Sequence, residues 1–239
     1  MQTFALARLL GPACKGIYRD EPVPSACADH PLIANGWFGY KPPAFGGNSY
    51  FAGVHIARLH DQYAEWMRQS PQPVGARDPF TVSVLRGIAQ VELTGCATLT
   101  FDRYTGPRTG RYTVDAPARR GYTALTQAIG EKVSWSEQWE LAGQQLDRIR
   151  RAEVVYTSRL HVALPCLAFG TPVVFPLKSL AEIHGRERLS ILQELPFVFG
   201  EPVTADVTAL AGRFRSHLER IAGKLDTRET PPMPEPLTP

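Results

Sequence analysis

Four consecutive residues, Ser158-Arg159-Leu160-His161, put a hydroxyl, a guanidinium and an imidazole where a β-branched run gives way to an apolar helical stretch. The strand Val154-Val155-Tyr156 passes through Thr157 into this turn, and Ser158 is the expected N-cap of the helix that follows. Arg159 and His161 then sit in the first helical turn, beside backbone N–H groups that lack intrahelical partners and carry partial positive charge. Phosphate and carboxylate bind such termini, and arginine adds a two-pronged donor for either. The alternative is an arginine paired with an acidic neighbour and a core histidine with a satisfied ring. The stretch LHVALPCLAFG is apolar nearly all round and should be buried, and a buried helix that opens with Arg and His is costly unless something anionic meets them. Pro165 inside it implies a kink or a shifted boundary.

Other residues could serve the same chemistry. Arg77 stands at the end of a predicted strand, Val74–Ala76, where it would bind a donor or an acceptor, or else pair with Asp78. His55, within the predicted strand Tyr50–Ala57, is either catalytic or a buried histidine with a backbone partner. His184, Arg186 and Arg188 follow the strand Pro172–Phe175 at a strand-to-helix connection, an anion-friendly place or a solvated one. Trp135 and Trp139, four residues apart, read as packing. The cysteines Cys14, Cys27, Cys96 and Cys166 have neither CxxC nor Cys/His metal spacing and read as reduced thiols.

The elements that must position these residues alternate. Helices are expected over Gln2–Leu10, Leu59–Arg68, Pro79–Gly87 with Asp78 as N-cap, Tyr122–Ile129, Glu137–Arg151, Leu160–Phe169, Arg186–Leu195 and Val207–Lys224. Strands are expected at Lys15–Tyr18, Leu32–Ala34, near Val91, at Ala97–Phe101, Tyr112–Val114 and Val133–Trp135, besides those named above. Asn35-Gly36 reads as a turn and Pro42–Gly47 as loop. Alternation at these lengths predicts an α/β fold with parallel sheets. The segment DRYTGPRTGR, Asp102–Arg111, is the expected linker, dividing residues 1–105 from 106–228. The proline-rich tail 229–239 is expected to be disordered.

A chain of 239 residues with 44% hydrophobic content can bury a full core. Its formal charge of +3 is small and its Lys and Arg are scattered, which argues against nucleic acid as a partner. No apolar stretch approaches the roughly 20 residues that cross a bilayer, so no transmembrane segment and a cytoplasmic location are expected. A homo-oligomer remains open.

The segment TSRLH, its apolar helix, Gly170-Thr171-Pro172 and Val173-Val174-Phe175 together resemble the C-terminal signature of the polysaccharide pyruvyl transferase family. GARDPFT, Gly75–Thr81, resembles that family's Arg-Asp element, and GCATLT, Gly95–Thr100, its Gly-Cys-x-Thr-Leu-Thr element. IANGWF, Ile33–Phe38, and the strand carrying His55 also fit. The resemblance runs from Gln2 to about Leu195. It implies two Rossmann-like lobes facing a cleft, as in glycosyltransferase-B proteins, with residues 1–105 as the acceptor-side lobe. The implied reaction moves pyruvate from phosphoenolpyruvate to a sugar hydroxyl pair as a ketal, with a small-molecule donor, a glycan acceptor, no cofactor and no metal.

On that motif Arg159 would hold the donor's anionic groups and His161 would bind it or transfer a proton. Ser158 and the Leu160 N–H would support them, while Arg77 would face the same cleft and His55 would be a catalytic candidate. Family members usually begin with a strand and an Asn-x-Gly-Asp turn ahead of the helix that is QTFALARLL here, so either the start is misassigned or the first lobe is reduced. Two other readings accompany the transferase: a nucleotide-sugar-dependent glycosyltransferase of the same fold, and a truncated binding protein without turnover.

Overall fold

Valine, isoleucine and aromatic runs form short strands, and the amphipathic stretches between them form the crossover helices that parallel pairing requires. The computed structural model describes residues 1–11, 30–39, 49–128, 133–176 and 186–226. The strand expected at Lys15–Tyr18, the loop Pro42–Gly47, His184 and the tail 229–239 lie outside the described residues. The first half holds helix α1 (Gln2–Leu10), strands β1 (Leu32–Phe38) and β2 (Ser49–Ile56), helix α2 (Asp61–Gln69), strand β3 (Val74–Ala76), helix α3 (Pro79–Leu85), strand β4 (Val91–Leu93) and a 3₁₀ turn at Ala97–Thr100. The second holds β5 (Arg111–Val114), β6 (Thr123–Leu125), helix α4 (Trp135–Arg151), β7 (Val154–Thr157), helix α5 (Leu160–Phe169) and β8 (Val173–Val174). A 3₁₀ segment, Arg186–Glu194, and helix α6 (Thr208–Asp226) follow.

Among the described residues these strands make two four-stranded sheets, ordered β1-β2-β3-β4 and β6-β5-β7-β8, with every strand pair parallel. The fold is mixed α/β and Rossmann-like. In each sheet the carboxyl ends of the strands share one edge, where α/β proteins place their ligands. No helix of the described residues is long and apolar enough to cross a membrane.

Several expected elements differ. Strand β1 runs straight through Asn35-Gly36, which forms an irregularity in the pairing with β2 instead of a turn. Gly36 has φ of 113°, a value side chains disfavour, and the Asn35 side-chain amide donates to the Ala52 carbonyl of the neighbouring strand. Ala97–Thr100 is a buried 3₁₀ turn, not a strand; Thr100 Oγ1 donates to Ala97 O at 2.7 Å, and the turn packs against α1, α5 and α6. Residues expected to be helical from Tyr122 include β6, because pairing with β5 overrides local propensity there. Val133–Trp135 leads into α4, whose Ser134 N-cap and Glu137 satisfy each other's backbone N–H groups as a capping box.

The expected linker is a fixed strap. Arg108 donates to Arg150 O at 2.8 Å, to Thr171 Oγ1 at 2.6 Å and to Phe169 O at 2.8 Å, joining the carboxyl ends of α4 and α5. Tyr104 N donates to Phe169 O and Thr109 N to Arg151 O. Helix α6 lies within the 106–228 span assigned to the second lobe, yet it packs on the first sheet. Its His217 ring bridges Phe51 O at 2.9 Å and Glu92 Oε1 at 2.5 Å, and Lys224 Nζ donates to Pro71 O at 2.6 Å. Gly75 admits this approach, since a Cβ there would lie 2.7 Å from His217 Nε2. One hydrophobic core accordingly joins Tyr50 and Ala52 of β2 to Val155, the buried α5 and Phe214 of α6.

Arg108→Ala should lower stability by about 1–3 kcal/mol in a denaturant titration, because it removes the donor that ties the ends of α4 and α5 together, while Tyr104 N and Thr171 Oγ1 still reach Phe169 O and Arg150 O. Arg111→Ala, which removes only an exposed pair with Glu153, should cost about 0–1 kcal/mol.

Candidate active site

Asp78 follows the last residues of β3 and caps α3. Its Oδ1 accepts from Thr81 N at 3.0 Å and Thr81 Oγ1 at 2.9 Å, and Pro79 stands at the first helical position where no N–H is required. The other carboxylate oxygen, Oδ2, accepts from Arg77 Nε at 3.0 Å and from His55 Nδ1 at 2.7 Å. His55 and Asp78 are 0% exposed and Arg77 is 1% exposed. Since Asp78 is an acceptor, the proton of neutral His55 lies on Nδ1, and its buried Nε2 has no hydrogen-bond partner. Thr81 Oγ1 closes the group by accepting from Ile56 N at 3.1 Å.

Arg77 carries the network to the second sheet. One guanidinium nitrogen donates to Arg188 O at 3.1 Å, while another lies 3.4 Å from His161 Nε2. Arginine has only donors, so Nε2 of His161 is the acceptor in this contact and the ring's proton is on Nδ1. The 3₁₀ segment carrying Arg188 is also docked on α3 through Phe80 N, which donates to Ser190 Oγ at 3.3 Å. The exposed Arg188 guanidinium lies over the Trp37 ring, 5.3 Å from its centroid. The carboxyl end of β3 thus meets the first turn of α5 through Arg77 and His161.

Of the residues expected from sequence, His55, Arg77 and His161 come together. Ser158 and Arg159 take another direction. Arg159, not Ser158, is the N-cap of α5: Thr157 Oγ1 accepts the Arg159 N–H at 3.0 Å, and the Ser158 hydroxyl donates to Asp115 O at 2.9 Å. The exposed Arg159 side chain pairs with Asp115 Oδ2 at 3.1 Å. Leu160 is buried at the same helix end, and Arg186 opens the 3₁₀ segment. Helix α5 passes through Pro165 without ending, and that ring supplies no N–H to the carbonyl of His161, four residues back. Gly170-Thr171 closes α5: the Gly170 N–H meets Cys166 O and Leu167 O, and Thr171 Oγ1 donates to Ile149 O at 3.0 Å.

Two contributors escaped the sequence reading. Asp78 figured there as a helix cap and an optional partner for Arg77, and it also holds His55. Asp115 carried no signal; it has φ of 45° at the end of β5 and accepts from Thr126, Gln127 and Arg159. An acidic residue directly beyond a strand end, in register with Ser158 across the sheet, is the pattern that could have flagged it.

The electrostatics follow from burial. Desolvation alone would raise the Asp78 carboxyl, but the His55 hydrogen bond and the Arg77 charge outweigh it and hold the acid below its ordinary range. Burial lowers His55, against the opposing pull of Asp78. Burial, reinforced by the Arg77 charge, lowers His161 well below 6.5. Both rings are therefore neutral near neutral pH. A cleft of about 220 Å³ between α5, the strap and α6, lined by Phe101, Arg103, Ala168, Asp206 and Arg215 among others, contains none of these residues.

Folded-state values below those of the unfolded chain mean that the unfolded chain binds more protons as acid is added. Stability should hold above about pH 6.5, decline below it as unfolded histidines charge, and decline further as Asp78 protonates. Melting temperatures across that range check the direction; a molecule more stable at about pH 5 would contradict it. Asp78→Asn should cost about 3–5 kcal/mol, because it strips a buried cation of its partner.

Residues 34–175 match the family model described as Polysaccharide pyruvyl transferase. That span takes in most of β1, the His55-Arg77-Asp78 network, the 3₁₀ turn and the whole of the SRLH helix. No curated protein and no solved structure gives a match. With well over half of its residues inside that model, including the histidines and arginine that meet between the two sheets, this chain belongs to the polysaccharide pyruvyl transferase family.

Proposed function

We propose that the protein transfers pyruvate from phosphoenolpyruvate to a hydroxyl pair of a glycan, forming a ketal and releasing phosphate. The observation that carries this reading is the Arg77–His161 contact, which sets a buried cation against a neutral imidazole where the carboxyl edges of two parallel sheets face each other. In this reading the sheets are the two lobes of a glycosyltransferase-B-like arrangement.

The reaction fixes what the residues must do. The donor methylene gains a proton and becomes a methyl group, which leaves an oxocarbenium-like carbon beside the carboxylate. Two acceptor oxygens bond to that carbon and the carbon–oxygen bond to phosphate breaks, so phosphate leaves with the bridging oxygen. The acceptor hydroxyls give up two protons; one balances the proton delivered to carbon and the other leaves with phosphate. Arg77 supplies fixed positive charge for the carboxylate or phosphate, worth most in a site poor in water. His161 Nε2 is the group placed to move a proton.

Arg159, at the same end of α5, is the exposed second cation, with Ser158, the Leu160 N–H and Arg186 as further donors to the anion and His184 nearby in sequence. His55 Nε2, an unpartnered acceptor on a ring held by Asp78, suits an acceptor hydroxyl. Arg77, His161, Arg159 and His55 then bear the protons and charge, and no cofactor is required.

Phosphate release and ketal formation should appear when the protein is incubated with phosphoenolpyruvate and β-galactoside acceptors. Stabilisation by UDP, GDP or CMP sugars and not by phosphoenolpyruvate would make it a glycosyltransferase instead. Ligand stabilisation without product would make it a binding protein. Arg77→Lys should lower kcat/KM by about 10²-fold, the loss of one charge-assisted two-pronged contact, while Arg159→Ala should act mainly on KM.

A further inference from the structure

A neutral imidazole cannot protonate an enol carbon, and the site as built keeps His161 neutral. Its Nε2 lone pair faces the Arg77 guanidinium across 3.4 Å, longer than an ordinary hydrogen bond. Three cationic or ionisable groups bear on the ring: Arg77 beyond β3, Arg188 on the 3₁₀ segment and His55 on β2. Among the described residues no carboxylate touches it. The nearest acid of the network, Asp78, is committed to Arg77, His55 and the α3 terminus. The ring therefore meets a cation and no carboxylate in direct contact, and an anion entering the same space reverses that balance.

We infer that the anionic donor itself charges His161: an oxygen of the bound anion enters between Arg77 and Nε2, accepts from both, and draws one proton from solvent onto Nε2. This rests on the donor assigned above and adds that donor binding and proton uptake are one event. The proton taken up is the one later delivered to the donor's methylene, and an acceptor hydroxyl proton restores the ring. Arg77 is then the group that keeps His161 discharged until the donor arrives, which protects the site from holding an unneutralised imidazolium beside two guanidiniums. The direction agrees with the low proton affinity of the free ring. The coupling also makes affinity fall about tenfold per unit of rising pH in the window above the free ring's value.

The full chain is titrated calorimetrically at about pH 7.5 in buffers of differing ionisation enthalpy, where phosphate groups are mostly ionised. The probes are phosphoenolpyruvate and, separately, inorganic phosphate. Uptake of about one proton per anion bound, lost in His161→Gln, is expected. Should that variant fail to fold, the nitrogen resonances of the wild-type His161 ring give the same answer. They should show proton on Nδ1 alone in the free protein and on both nitrogens with anion bound. Buffer-independent heats, or a ring unchanged by the anion, overturn the inference even if pyruvyl transfer is observed. Proton-coupled binding of inorganic phosphate with no affinity for phosphoenolpyruvate supports it while removing the pyruvyl donor. Binding of neither anion overturns both.

Discussion

A carboxylate shut away from water has to be matched atom by atom, and Asp78 is matched by four donors from three parts of the chain. It lies two residues beyond β3, starts α3, fixes the tautomer of His55 on β2 and orients Arg77 toward α5. Each partner would be expensive alone: a 1%-exposed guanidinium, a buried imidazole and a helix terminus. Sharing one anion satisfies all three, and it leaves one donor face of Arg77 and one nitrogen of His55 turned to other business. The Rossmann-like sheets serve to bring those surplus valences to a common edge.

The parts of the fold that were legible are those whose signal is local. Helix α5 was bounded from its apolar run and Gly170, α3 from the Asp78-Pro79 pair, and β2 and β3 from short β-branched stretches. What failed was decided elsewhere in the molecule. Strand β6 exists because β5 offers a paired edge, and Ala97–Thr100 curls because three helices converge on it. Asp102–Arg111 does run from the first sheet to the second, as its linker composition suggests, while its Arg108 contacts with carbonyls more than forty positions away leave no local trace. The capping box at Ser134 and Glu137 was a local signal that the aromatic and β-branched flanks obscured.

The candidate site divides along the same line. The SRLH turn was visible as a place for an anion because its residues are adjacent, whereas the meeting of Arg77 with His161 spans 84 positions and no local pattern encodes it. The two arginines also occupy different environments: Arg77 is committed and buried, while Arg159 is exposed and balanced by Asp115. A fixed cation preorganises charge without reorientation cost, and a surface cation adds reach and is screened by salt. Sequence motifs report which cations are present; their division into these two kinds depends on the depth at which each strand ends.

The return of helix α6 to the first sheet has a consequence for how the molecule is made. Glu92 waits for His217 and Arg220, partners 125 and 128 residues later, and Gly75 lies bare until the His217 ring covers it. A nascent chain that has emerged as far as α5 holds the local core of Phe51, Val54, Ile56, Tyr63 and Val74, but the other face of β2, at Tyr50 and Ala52, still lacks the α6 residues that share its core. Native contacts of such long separation slow folding and prolong the exposure of β2, a strand buried along its entire length. Shielding of that strand by a chaperone would matter most in the interval before the last helix is complete.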